Sequence, residues 1–378
     1  MNRENILDSI RIDLFLEIFS RLPTKSVGRS RCVSKQWASF LGRQDFIELF
    51  LTRSSTRPRL LFALKPYGGG GEWFLYSSPQ HQNPYENQGS CIYASGLFCF
   101  PAVRISKNKG DDASPVICNP STGHCAILPK LKTDIQTRSY LGFDPIDKQF
   151  KVLIMMDNEK YNEKDHYILT LGTEKERWRW RKIQRPFNHA IQRAYGAGIC
   201  ISGVLYYIAY ESDDWIYVIG CFDVRTETFK SINLNCSYGW SSTLINYKGK
   251  LGVINLRHAS DGIFPLQLSM TVLEDFEKQE WSTYVYTLMA ENVVVKEKYY
   301  VSVVGVTAIG EIVLVNKNAC KPFYVFYFNP ERNTLLSVEI QGVGEDHKWF
   351  NFHKVCAFVD HVEDLQFNIM KTPEWNRT

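Results

Sequence analysis

The spacing of apolar residues changes character near residue 55. Upstream it is helical. Leu14, Phe15, Ile18, Phe19 and Leu22 recur at steps of three and four, as one helix face requires. Asp13 stands at the start of that segment, where the helix dipole favours a negative charge, and Pro23 ends it. Thr24 is expected to cap a second helix reaching about Val33. Ser34 is expected to cap a short third one carrying Trp37 and Leu41. Asp45 followed by Glu48 has capping-box spacing and predicts a last helix through Phe46, Leu49 and Phe50. Three or four short helices make a module too small to be more than marginal alone, so it is expected to gain stability by docking on something.

Downstream, short runs rich in Val, Ile, Tyr and Phe alternate with Gly, Asn, Asp and Pro. Two elements repeat. One is apolar–Gly–apolar: Tyr93–Phe100 around Gly96, Ile201–Ile208 around Gly203, Ile245–Ile254 around Gly249, and Val306–Val315 around Gly310. The other is strand, polar turn, strand. It begins at Asn119-Pro120-Ser121-Thr122-Gly123, Asp223-Val224-Arg225-Thr226, Asp275-Phe276-Glu277-Lys278 and Asn329-Pro330-Glu331-Arg332, with a further candidate near residue 173. Asn or Asp suits each start because its side chain accepts from the backbone two residues on and tightens the reversal. The step is about 50 residues with about four short strands in each, the pattern of propeller blades. An irregular pair of β-sandwiches is the alternative. Ser54–Arg59 is a short polar join, and Gly68–Gly71 is expected to be a flexible turn.

Composition narrows the function classes. Apolar residues are 44% and aromatics 14% of the 378 residues, which is globular. Lys and Arg exceed Asp and Glu by 44 to 40, too slight an excess for a dedicated nucleic-acid binder. The longest apolar stretches, Gly198–Tyr210 and Val301–Val315, are too short to cross a membrane and carry internal glycines, so they predict hairpins. Met1–Ile10 is polar and acidic, which predicts no cleaved secretory signal. An intracellular, reduced setting follows as an expectation. The ten cysteines include no C-x-x-C pair, and most are expected to be free thiols packed as small hydrophobes.

Catalytic signatures are missing: no nucleophile elbow, zincin motif, P-loop or kinase set occurs. Tyr195-Gly196-Ala197-Gly198 lacks the third glycine of a dinucleotide site, and Asp157–Asp165 lacks the central Gly and distal Glu of a calcium loop. Neither a cofactor nor a metal is expected. In Glu174–Arg185, Trp178 and Trp180 alternate with Arg177, Arg179 and Arg181. Strand period puts the tryptophans inward and the arginines outward, and stacking on single-stranded nucleic acid is the competing reading.

The helical part also carries a resemblance. Ile12-Asp13-Leu14-Phe15-Leu16-Glu17-Ile18-Phe19-Ser20-Arg21-Leu22-Pro23, then Lys25-Ser26-Val27, Arg31-Cys32-Val33-Ser34-Lys35-Gln36-Trp37 and Asp45-Phe46-Ile47, resembles an F-box. The rest resembles the F-box-associated repeat region (type 3-like) of plant F-box proteins, through Asn119-Pro-Ser-Thr-Gly, Gly142-Phe-Asp-Pro and Trp281 after Asp275-Phe-Glu-Lys. The resemblance implies a three-helix F-box over residues 6–54, a linker over 55–59, and a mostly-β, propeller-like domain of about five to seven blades over 60–372.

It also implies a job. F-box proteins dock a Skp adaptor of a cullin–RING ubiquitin ligase and hold a target protein on the C-terminal domain, while the ligase chemistry belongs to other subunits. The adaptor-facing positions would be Leu14, Ile18, Leu22, Pro23, Val27, Cys32, Val33 and Trp37. Trp215, Tyr238 and Trp240 are candidates for target contact on propeller loops. Nuclear or cytoplasmic residence is expected, without membrane or nucleic acid. Two positions depart from the family pattern: Ile10-Arg11 replaces Leu-Pro or Ile-Pro, and Gly28 replaces a larger apolar residue. They keep open a second reading, a ubiquitin-independent protein- or carbohydrate-binding propeller with a degenerate F-box. A propeller hydrolase would need a cluster of convergent carboxylates or histidines.

Overall fold

The computed structural model describes residues 12–66, 74–79, 92–103, 114–131, 137–156, 166–172, 178–184, 189–190, 198–211, 217–234, 242–258, 265–289, 301–316, 323–340 and 353–365. Four helices come first: α1 (Ile12–Phe19), α2 (Thr24–Arg31), α3 (Lys35–Phe40) and α4 (Gln44–Ser55). The resemblance implies three helices and the residue spacing three or four; the fourth, Gln44–Ser55, is the last helix that Phe46, Leu49 and Phe50 predict. Phe15, Val27, Leu41, Phe46 and Phe50 form the helical core. Trp37 stands edge-on to Phe15 and Phe19, at 5.2 and 5.1 Å between ring centroids.

The caps divide. Ser34 caps α3 as predicted, accepting from the Trp37 amide. Pro23, not Thr24, precedes α2. Thr24 is instead its first residue, with a buried hydroxyl that has no partner among the described residues. Asp45 makes no capping box either. It lies inside α4, paired with Arg43 and accepting from the Phe46 amide, while Glu48 accepts from Gln44.

Twenty-four strands follow among the described residues, in six sheets. The first unites both ends of the β region: β2 (Phe74–Pro79), β1 (Arg59–Pro66) and β24 (His353–His361). The second is β3 (Ile92–Ala94), β4 (Leu97–Val103), β5 (Ser114–Cys118) and β6 (Cys125–Ile127). The third is β7 (Thr137–Asp144), β8 (Gln149–Met156), β9 (His166–Leu171) and β10 (Arg181–Ile183). The fourth has β11 (His189–Ala190) and β12 (Ile199–Ile201) one after the other along one edge of β13 (Val204–Glu211), then β14 (Tyr217–Asp223) and β15 (Phe229–Asn233). The fifth is β16 (Ser242–Tyr247), β17 (Lys250–His258), β18 (Leu266–Asp275) and β19 (Glu280–Leu288). The sixth is β20 (Val301–Val306), β21 (Ile312–Asn316), β22 (Phe323–Asn329) and β23 (Thr334–Ile340). Every strand pair is antiparallel.

The apolar side chains close these sheets into a ring. In β14, Val218 and Phe222 pack toward the third sheet, while Ile219 and Cys221 pack toward the fifth. In β22, Phe326 and Phe328 face the fifth sheet, and Val325 and Tyr327 face the first. Successive residues of a strand point to opposite faces, so a strand between two sheets must be apolar at nearly every position. Six clusters each join two neighbouring sheets, and the last two, through Leu60 and Leu61 on β1, join the first sheet to the sixth and the second. This is a propeller fastened by pairing the C-terminal strand β24 against β1.

Both repeating elements are turns at one end of this ring. The glycine element makes hairpins in which Ser95-Gly96, Ser202-Gly203 and Lys248-Gly249 have positive φ at both residues, as type I′ turns demand. The Asx element works as anticipated. The side-chain oxygens of Asn119, Asp223, Asp275 and Asn329 each accept from the amides two and three residues on, at 2.7–3.2 Å. The third residue of each turn then reaches the preceding sheet: Ser121 to His361, Arg225 to Asp147, Glu277 to Lys230 and Glu331 to Lys248.

Gly142 sits at such a sheet boundary. A Cβ there would meet Val224 of the next sheet at 2.6 Å. Trp178 is buried and Trp180 partly so, their indole N–H groups donating to the Gly172 and Pro129 carbonyls, while Arg179 and Arg181 face out. The inward-tryptophan reading of this segment therefore holds for its described residues. Cys118 and Cys125 depart from the expected free thiols. The β5–β6 register sets them opposite one another, 4.1 Å apart at Cα, and they are disulfide-bonded. Cys32, Cys99, Cys200, Cys221 and Cys356 are outside any disulfide. Gly68–Gly71 and Asp157–Asp165 lie outside the described residues.

Candidate functional site

α1 is apolar on more than one face. Phe15 and Phe19 turn into the helical core, while Leu14 and Ile18, one turn apart, are each 54% exposed. A helix that shows large aliphatic side chains away from its own core has surface to bury on a partner. Val33, just beyond α2, is 65% exposed, and Ile12 at the start of α1 is 42% exposed. Sequence spacing did not single out Ile12, although it opens the same apolar pattern.

The eight residues assigned from the resemblance separate by burial. Leu14, Ile18, Pro23, Cys32 and Val33 are exposed. Leu22 and Trp37 are half-buried against the core. Val27 is fully buried, so it holds α2 in place and offers no surface. Gly28 is exposed on α2, with nothing within 4 Å of where a Cβ would stand. This departure from the family pattern therefore leaves no hole in the core. Arg11 lies outside the described residues.

Charge around α1 is locally paired. Glu17 accepts from Arg21 and Arg53 at 2.6 and 2.7 Å, which ties α1 to α4. The hydrogen bond from Arg21 is the main reason its carboxyl lies below the usual carboxylate range. Arg57 donates to the Ser20 and Arg21 carbonyls and so clamps the chain leaving α4 onto the end of α1.

The helices sit at the tight-turn end of the propeller. α4 ends at Ser55, and β1 starts at Arg59, opposite His361. Four residues beyond His361, Leu365 packs against the helical core. Ser121 of the second sheet holds this crossing, bonding the His361 imidazole at 3.2 Å and accepting from the Asp364 amide at 3.4 Å. His361 is almost wholly buried. Burial, aided by nearby Arg59, lowers its pKa to about 4.

The helical module and the ring are thus joined twice, by residues 56–58 and by residues 362–365. The longer connections, between second and third strands and between consecutive sheets, leave from the opposite end. Trp215, Tyr238 and Trp240 lie in two of them, outside the described residues. The flanking strand ends (Glu211 and Tyr217, Asn233 and Ser242) belong to that end.

Comparison with known proteins agrees with this division. Residues 12–49 match the F-box domain family, and residues 59–362 match the F-box associated beta propeller domain family. The chain belongs to the F-box protein family. "Putative F-box protein At5g42430" of Arabidopsis thaliana is 54% identical over 403 aligned residues, covering 100% of this chain and 98% of that protein. "F-box only protein 12" of the same plant is 49% identical, covering 95% of this chain and 82% of that one. Among solved structures, TolB from Acinetobacter baumannii covers 83% of this chain and 72% of its own, with 10% identity and a TM-score of 0.43, a likeness too slight to bear on function.

Among the described residues of this F-box protein, no group of three or more His, Cys, Asp or Glu is placed to hold a metal ion. No helix among them is long and apolar enough to cross a membrane. Among the described residues, Lys151 and Arg181 both pair with the partly buried Glu227 across the third and fourth sheets. Burial alone would raise the Glu227 carboxyl; hydrogen bonds from Lys151 and Arg181 outweigh it and hold the group below its ordinary value. The cluster binds two blades together and leaves no free acid or base.

Proposed function

We propose that this protein is a substrate receptor of a Skp–cullin–F-box ubiquitin ligase. The F-box docks the Skp adaptor, and the propeller holds the protein to be ubiquitinated. The observation that carries this reading is the uncovered apolar side of α1, Leu14 and Ile18, on a helix whose other side already fills the core. Val33, Cys32 and Pro23 extend the exposed set. Leu22 and Trp37 support the docking helix from behind, and Val27 is structural.

The two joints give the receptor its geometry. With the F-box at the tight-turn end, the strand ends that lead into the long connections lie at the other end, so a target held there would stand clear of the adaptor. Loops carried on a rigid scaffold are the natural place for recognition, and Trp215, Tyr238 and Trp240 remain the residues proposed to meet the target. The receptor itself would contribute binding and placement, with no cofactor and no turnover of its own. The proposal places it in the nucleus or cytoplasm, where the ligase works.

Gly28 favours this reading over a decayed F-box. Its cost is helix propensity, about 1 kcal/mol, rather than a packing defect. The test is co-purification of the full chain with a Skp adaptor, comparing wild type with Ile18→Asp. Capture of the adaptor by wild type and its loss in the variant are expected. A wild-type chain that fails to bind where an ordinary F-box protein binds would overturn the proposal.

A further inference from the structure

The outer edges of the six sheets are not equally protected. β6 and β10 have three residues each. β15 has five and carries Lys230, β2 ends in Pro79, and β23 carries Glu339. Shortness, charge and proline are the usual devices that keep a sheet edge from pairing with another chain. β19 has none of them beyond its first residue. It is nine residues long, Glu280-Trp-Ser-Thr-Tyr-Val-Tyr-Thr-Leu288, and uncharged from Trp281 onward. One side is paired with β18 along its whole length, and no described strand pairs with the other. Thr283, Tyr284 and Val285 are consecutive and all exposed, so both faces of the strand stand clear at its middle.

The sequence of β19 also fits its own reverse. An antiparallel pair of two β19 strands centred on Tyr284 sets Thr283 against Val285, Ser282 against Tyr286, Trp281 against Thr287 and Glu280 against Leu288. No like charges meet, and the two Glu280 carboxylates stand at opposite ends of the ladder. Apart from Glu280 against Leu288 at the two ends, each cross-strand pair is built from aromatic, β-branched or hydroxyl-bearing residues, the types that stabilise antiparallel pairing, and the central pair is aromatic on aromatic. A two-fold contact must be self-complementary in this way.

We propose that β19 is a homodimerisation edge: two copies of this protein join antiparallel at Tyr284, making one continuous eight-stranded sheet from the two fifth blades. The F-box lies on the first sheet, which has the sixth between it and the fifth. Pairing at β19 therefore leaves Leu14 and Ile18 free, and a dimer would carry two docking helices.

The experiment is sedimentation of the full chain over a range of concentrations, with two variants. Tyr284 is 43% exposed, so its replacement leaves the core intact. Tyr284→Lys and Tyr284→Glu each set like charges directly opposite in the pair and should weaken self-association at least about tenfold. An equimolar mixture of the two sets Lys against Glu and should restore a dimer. A wild-type chain that stays monomeric up to its solubility limit overturns the proposal. So does a dimer that persists in either single variant, or a mixture that fails to restore association. Adaptor binding is unchanged in every expected arm, so the result is separate from the receptor reading.

Discussion

Single residues carry the regularity of this fold, and the clearest is the third residue of each Asx turn. At three of the four turns it makes an ion pair with the preceding sheet, and at the fourth Ser121 bonds His361 instead. That substitution puts a titratable group in the ring closure. His361 has a native pKa near 4 against an ordinary 6.5. Between those values the unfolded chain binds the proton and the native one does not, so stability falls as pH falls through that window and is fully present above it. The slope from this group approaches about 1.4 kcal/mol per pH unit. Urea unfolding of wild type and His361→Gln from pH 7 to pH 4 is predicted to show the steeper decline in wild type. Parallel curves would mean that the imidazole is not held neutral. Gly28 gives a second test. Gly28→Ala meets open space and is predicted to stabilise the helical module by about 0.5–1 kcal/mol, read as a raised unfolding midpoint.

At the scale of elements, the turns were the most legible part of the sequence and the helix faces the least. Asx and Ser-Gly signals report local chemistry that needs no partner, so Asn119, Asp223, Asp275 and Asn329 are where the repeat put them. Helical periodicity reports that residues share a face but not which face another element covers. Leu14 and Val27 therefore looked alike, although one is open and the other sealed. The missed caps have the same origin: Thr24 and Asp45 have the right chemistry, but proline geometry and the Arg43 pair decide where α2 and α4 begin. The Cys118–Cys125 bond depends on a hairpin register that seven residues of sequence do not specify.

One element-scale contact carries its own prediction. Leu365 packs into the helical core from beyond β24. Leu365→Ala should cost the helical module about 1–2 kcal/mol of apolar burial. Hydrogen exchange is then expected to rise in α1 and α4 while the β16–β19 sheet stays protected. Uniform change across the chain would count against a local brace.

Across the whole molecule, function follows from which end holds what. The F-box is tied to the tight-turn end by Arg57 and Leu365, and the long connections leave from the other. Ring closure holds this frame. Lys151 and Glu227 link the third and fourth sheets in a partly buried site, so Glu227→Gln, which leaves Lys151 without its counter-charge, is predicted to cost about 1–2 kcal/mol in thermal or urea unfolding. The central claim is that the exposed side of α1 is a docking surface, separate from the core side that holds the helices together. Calorimetric titration of the full chain with a Skp adaptor tests it most directly, with Leu14→Asp/Ile18→Asp as the variant. The account predicts that wild type binds, that the double variant loses about 100-fold or more in affinity, and that both unfold at the same temperature. Equal affinity in the two proteins would contradict it.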